Sequence, residues 1–147
     1  MRNVKMFREQ LLAVNRLALW SRLYGLIWLA FAQFILAALI EVAAFIVYLH
    51  FLVGLGVLDL AWTNYTTIKR TQAPNRIIRI SKTTAILAVV QILVGILNYG
   101  QMMLKLGAPL GTVVNILHLI IALAILSQAS STATAYDMWE EKEFVAK

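Results

Sequence analysis

Two residues in this chain have the type and placement to do chemistry, His50 and His118. Each is set in an apolar run, Leu49-His50-Phe51-Leu52 and Leu117-His118-Leu119-Ile120. An imidazole in such surroundings is costly without a partner, so an ionisable group there reads first as functional. Four residues after each His, one helical turn on and on the same face, comes a small residue: Gly54 after His50 and Ala122 after His118. Two imidazoles at one depth on facing helices can clamp a metal from both sides, and small neighbours leave room for a flat macrocycle. The chemistry is axial ligation of a haem iron. Gly56 and Gly95 add clearance, and Asn115, three residues before His118, is placed to touch a haem edge or a His. The competing reading makes each His a polar residue that bridges helices by hydrogen bonds. Zinc is excluded, because it wants three or four protein ligands and the chain has two histidines and no cysteine.

The elements that must position these residues follow from composition. The 147 residues make one domain, 61% apolar and 14% charged. A soluble domain is about half apolar and about a quarter charged. This is the makeup of an integral membrane protein, and it excludes a soluble enzyme, a disordered chain and a disulfide scaffold. The absence of cysteine removes thiolate catalysis and iron–sulfur clusters.

A membrane-crossing helix needs about 20 mostly apolar residues. Between Leu23 and Ile68 only Glu41 and Asp59 are charged, which is too long a run for one helix. Splitting it at Glu41 gives helices over 19–40 and 43–65. A third runs over 83–104, the turn residues Gly107, Pro109 and Gly111 follow, and a fourth covers 110–136. The fold class is an all-α, four-helix up-down membrane bundle, with an interfacial lead-in over 1–18 and an acidic tail over 137–147. In the lead-in Val4, Phe7, Leu11 and Val14 share helical spacing, as an amphipathic helix on the membrane surface would, although a short solvated segment explains them equally.

The net charge of +6 is a topology signal and not a nucleic-acid one. Arg2, Lys5, Arg8, Arg16 and Arg22 precede the first apolar run, and Lys69, Arg70, Arg76, Arg79 and Lys82 lie together in one polar segment. The positive-inside rule places both termini and the 69–82 segment in the cytoplasm of a multi-pass cell-membrane protein. His50 and His118 then lie toward the outer surface. Asp59, deep in the second span, is expected to pair with Arg22, with a proton-uptake role as the alternative. Trp20, Trp62, Tyr65, Tyr136 and Trp139 form an aromatic belt at the inner interface. Met102 and Met103 read as apolar filling, with soft ligation as the alternative. Gln33-Phe-Ile-Leu-Ala-Ala-Leu and Gln91-Ile-Leu-Val-Gly-Ile-Leu form a faint internal repeat, each followed by the next His-bearing helix.

The segment Gln91-Ile-Leu-Val-Gly95, then Ala108-Pro109, then Asn115-Ile-Leu-His118-Leu-Ile-Ile-Ala122 resembles the heme A synthase family. The likeness covers about residues 45–127, and a single four-helix unit resembles the compact form found in some archaea. It implies His50 and His118 as the axial pair of one haem, with Gly54, Ala122, Gly95 and Asn115 around it, and an outer-side site. Family members with synthase activity carry a carboxylate three residues before the first His and usually an Arg after it. Here those positions hold Val47 and Phe51.

Three functions follow. The first is a b-type haem protein (haem O or A being alternatives) that transfers electrons, with quinol as a partner, or serves as an accessory subunit of a respiratory terminal oxidase. The second is an active compact heme A synthase, as a homodimer. The third is a cofactor-free structural subunit of a larger membrane complex. A proton-coupled drug exporter would need a carboxylate within its first span, and none stands there before Glu41.

Overall fold

The computed structural model describes residues 2–104 and 108–145, and every element among them is α-helical. The helices are α1 (Arg2–Leu39), α2 (Phe45–Ile68), α3 (Asn75–Leu104) and α4 (Ala108–Val145). All four are long and apolar enough to cross a membrane, which is the architecture of a multi-pass membrane protein. The helices form a ring in which α1 packs on α2, α2 on α3, α3 on α4 and α4 on α1. The histidine-bearing α2 and α4 are therefore diagonal to one another.

Cross-helix contacts fix the register. Along α1 and α2, the Asn64 amide donates to the Arg22 carbonyl, Gly25 faces Leu60, Gly56 faces Leu29, and Gln33 reaches the His50 carbonyl. One number rises as the other falls, so the pair is antiparallel. Along α3 and α4 the ladder runs Thr84 to Gln128, Gln91 to His118 and Asn98 to Asn115, again antiparallel.

Helices α1, α3 and α4 begin earlier, and α2 and α4 end later, than apolar content alone predicts, while the turn between α1 and α2 is a little wider. Residues 2–18 are the first part of a continuous α1, not a separate lead-in. No glycine or proline falls in residues 2–18 to break the helix, and backbone hydrogen bonds do not distinguish polar from apolar side chains. The side chains of Val4, Phe7, Leu11 and Val14 lie outside the described residues, as do Lys105 to Gly107 of the second turn. Helix α3 starts at Asn75 and not at 83, because Pro74 pre-sets the φ of an entering helix and its carbonyl accepts from Ile77. Helix α4 carries on through the acidic segment to Val145.

The core is built from small residues. Leu26, Val57, Ala61, Ala85, Ala88, Val94, Ile121, Ile125 and Ala129 make the central cluster. The alanines let backbones approach closely, which is how membrane helices gain packing energy when lipid is as apolar as leucine. A second cluster at the basic end joins Leu19, Leu23, Ile68, Ala73, Ile77, Ala133 and Tyr136. Ile68 is fully buried there. Ile68→Ala is expected to cost about 2–5 kcal/mol through the cavity it leaves, read as a lowered midpoint of thermal unfolding in detergent.

At this end Trp20 stacks on Tyr24 at 5.2 Å and donates its indole N–H to Glu140 at 2.9 Å. Trp62 meets Tyr65 and Tyr136 meets Trp139 edge to face. The aromatic residues thus cluster at the basic end, with one acidic residue of α4 recruited to hold them.

Candidate functional site

The two histidines meet. The ring centres of His50 and His118 are 6.3 Å apart, with the rings tilted by 49°. They come from diagonal helices, so the contact crosses the middle of the bundle. Each ring is half-buried. Nδ1 of both rings is buried and makes no hydrogen bond among the described residues. An orphan polar nitrogen in an apolar interior costs about 1–3 kcal/mol unless something pairs with it.

The two repeat glutamines hold this pair. Gln33, on α1, donates its amide N–H to the His50 backbone carbonyl at 2.9 Å. Gln91, on α3, lies with its amide nitrogen 3.3 Å from His118 Nε2. The relation is parallel but not identical, because one glutamine grips backbone and the other grips the ring. Gln91 Oε1 is left buried without a partner. Gln101, one helical segment beyond, is also buried with both amide atoms unpaired. The sequence reading passed over Gln101, and its only signal was an amide in an apolar stretch.

The small residues divide into distinct roles. A Cβ at Gly95 would stand 3.1 Å from His118 Cε1, so α3 closes on the ring only because glycine is there. A Cβ at Gly54 would meet Gln33 Nε2 at 3.4 Å and Ile92 Cδ1 at 3.5 Å, so Gly54 does face the interior beside the site. Gly56 instead admits Leu29 of α1, at 3.0 Å from its would-be Cβ, and serves helix packing. Ala122 is partly buried one turn beyond His118. Asn115 is exposed, and its Oδ1 accepts from Asn98 at 3.5 Å rather than from a histidine. Gly95→Ala is expected to destabilise the protein by about 1–3 kcal/mol through overpacking against the His118 ring. Gly100→Ala, which meets nothing within 4 Å, is expected to be silent in the same thermal unfolding assay.

Two expectations are corrected. Asp59 does not pair with Arg22. Val57, Ala61 and Asn64 carry the buried face of α2, so Asp59 falls on the opposite, exposed side. Arg22 Nε donates to the Ala18 carbonyl of its own helix. Met102 and Met103 are both more than half exposed and fill no interior space.

The distance between the ring centres is one that two imidazoles sharing an ion would have. At ~2 Å per metal–nitrogen bond, two imidazoles on opposite sides of one ion stand with ring centres ~6 Å apart, close to the separation observed. The described residues hold no group of three or more His, Cys, Asp or Glu side chains, so a metal on this pair would draw its remaining ligands from outside these side-chain types. Beside Gly54 the space is held by the Gln33 and Ile92 side chains, and beside Gly95 by the His118 ring itself. No family model matches the chain, and no curated protein or solved structure is significantly similar to it.

Proposed function

We propose that this chain is a membrane haem protein in which His50 and His118 are the axial ligands of one b-type haem. The observation that carries the reading is the imidazole pair itself, 6.3 Å apart across the bundle from diagonal helices. Bound haem supplies one-electron redox chemistry. The chain supplies two imidazoles, the small residues Gly54 and Gly95 beside them, and one amide, Gln91, on the His118 ring where an outer partner of a ligand would be. The positive-inside rule puts both termini in the cytoplasm and the histidines nearer the outer face of the cell membrane. Val47 and Phe51 stand where the resemblance to the heme A synthase family would put a carboxylate and an arginine, so the family's charged pair for work on a haem substituent is missing. Electron transfer, with quinol as donor or as a subunit of a respiratory oxidase, therefore fits better than haem synthesis. Haem O or A would be held by the same two ligands.

The test is the dithionite-reduced minus oxidised visible spectrum of detergent-purified protein, with haem quantified as its pyridine haemochrome. Sharp α and Soret bands at close to one haem per chain are expected. Protein that stays colourless when produced with excess haem would overturn the reading. The Gln91–His118 hydrogen bond would then stand as the purpose of the histidine, and the cofactor-free structural subunit would lead.

A further inference from the structure

The basic end of the bundle carries a groove between α3 and α4 that the histidine site does not use. It consists of two adjoining hollows of about 360 and 480 Å³, which share Arg76, Ile80 and Ser131. Arg79, Thr83 and Gln128 complete the first hollow. Arg76 and Arg79 are exposed, one helical turn apart, and neither has a carboxylate partner among the described residues. Two unpaired guanidiniums facing one groove form a site for negative charge, and guanidinium geometry matches phosphate.

The surface beyond the arginines identifies what carries that charge. Thr83 on α3 and Ser127, Ser131 and Thr134 on α4 are all exposed. From Arg76 to Thr83 the helix descends ~10 Å. The Gln128 amide oxygen already accepts from Thr84, which leaves its nitrogen to donate. Still deeper the exposed residues become purely aliphatic: Ile86, Val89 and Leu93 on α3, Leu119, Ile120 and Leu123 on α4. Down the α3 side the order is cation, then hydroxyl, then hydrocarbon, while Thr134, Ala135 and Met138 of α4 line the hollow beside Arg76. That order repeats, group for group, the phosphate, glycerol ester and acyl chain of a phospholipid. The tryptophan and tyrosine cluster sits at the same end, where such rings mark the headgroup level.

We propose that the α3–α4 groove binds one anionic phospholipid, its headgroup phosphate on Arg76 and Arg79 and its ester region against Thr83, Gln128 and Ser131. Basic pockets between membrane helices are a known means of holding anionic headgroups. A free phosphate shares the headgroup chemistry but has no use for the hydroxyl and aliphatic steps below it.

The experiment is native mass spectrometry of the purified full chain titrated with phosphatidylglycerol or with phosphatidylcholine of the same acyl chains. One phosphatidylglycerol is expected to stay bound at concentrations where phosphatidylcholine does not. At about 5-fold per arginine near a membrane surface, the R76Q/R79Q double variant is expected to lose ~30-fold in affinity. The K69Q/R70Q variant, equal in charge change but outside the groove, is expected to keep the preference. Thr83→Val with Ser131→Ala is expected to weaken phosphatidylglycerol binding while leaving inorganic phosphate unaffected. Equal loss in both charge variants would show a diffuse surface effect and overturn the site. Displacement of the lipid by millimolar inorganic phosphate would make free phosphate the ligand and overturn the lipid.

Discussion

His118→Gly is expected to remove haem absorbance from the purified protein entirely, and added imidazole is expected to restore it. The size of the effect follows from the ligand count. Two histidines are the whole supply of imidazole in the chain, and among the described residues no other His, Cys, Asp or Glu gathers with them. On the proposed ligation, losing one leaves a single protein ligand. Glycine opens the space of the lost ring, and free imidazole can occupy it. The same result is expected of His50→Gly. Gln91→Leu separates ligation from hydrogen bonding. As an orienting partner of a ligand, Gln91 is worth about 10–100-fold in affinity for the bound metal group, so its loss should weaken haem binding without abolishing it. Were His118 only the other half of an interhelical hydrogen bond, Gln91→Leu and His118→Leu would cost the same ~0.6 kcal/mol of stability, and neither would change a visible spectrum.

The second large effect lies on the outside of the bundle. Asp59→Leu is expected to favour membrane insertion of the isolated α2 segment by ~3–4 kcal/mol, the spread between aspartate and leucine at the centre of a spanning helix. Asp59 is the fifteenth of the 24 residues from Phe45 to Ile68, close to the middle. It is exposed, and no basic side chain of the described chain bonds to it. Glycosylation mapping of α2 and its Asp59→Leu variant in a host membrane protein measures the difference. Leu55→Ala, a neutral change on the same exposed face, is expected to move insertion by well under 1 kcal/mol. An Asp59→Leu effect no larger than that would mean that the carboxylate reaches water.

The histidine pair was legible because depth can be counted along a helix. Equal spacing from the ends of alternate spans placed both rings at one level, and an up-down bundle has only one interior for them to share. The glutamine repeat was legible for the same reason, although not the difference in what Gln33 and Gln91 hold. Azimuth was less legible than depth. Arg22 and Asp59 were matched by depth, but the structure sets Arg22 against Asn64, five residues along, and turns Asp59 outward. Asn115 shares a face with His118 yet reaches Asn98, because a short amide bonds to whatever the facing helix presents at its own level. Helix ends were hidden for another reason. Hydropathy reports where lipid begins, whereas α1 and α3 extend beyond the apolar stretch through polar residues that hydrogen-bond their backbones equally well.

The register ladder has a consequence for access to the histidines. At their level, α1 has six residues left before Leu39 and α2 has five back to Phe45, while α3 has thirteen left before Leu104 and α4 has ten back to Ala108. At 1.5 Å per residue one hairpin stops about 8–10 Å short of the other. The far end of the bundle is a step, and the imidazole pair lies beneath its lower tread. The path from the end of the bundle to the imidazoles crosses less protein over the α1–α2 hairpin than over the taller α3–α4 hairpin, so on the proposed function the α1–α2 side is the near side for exchange.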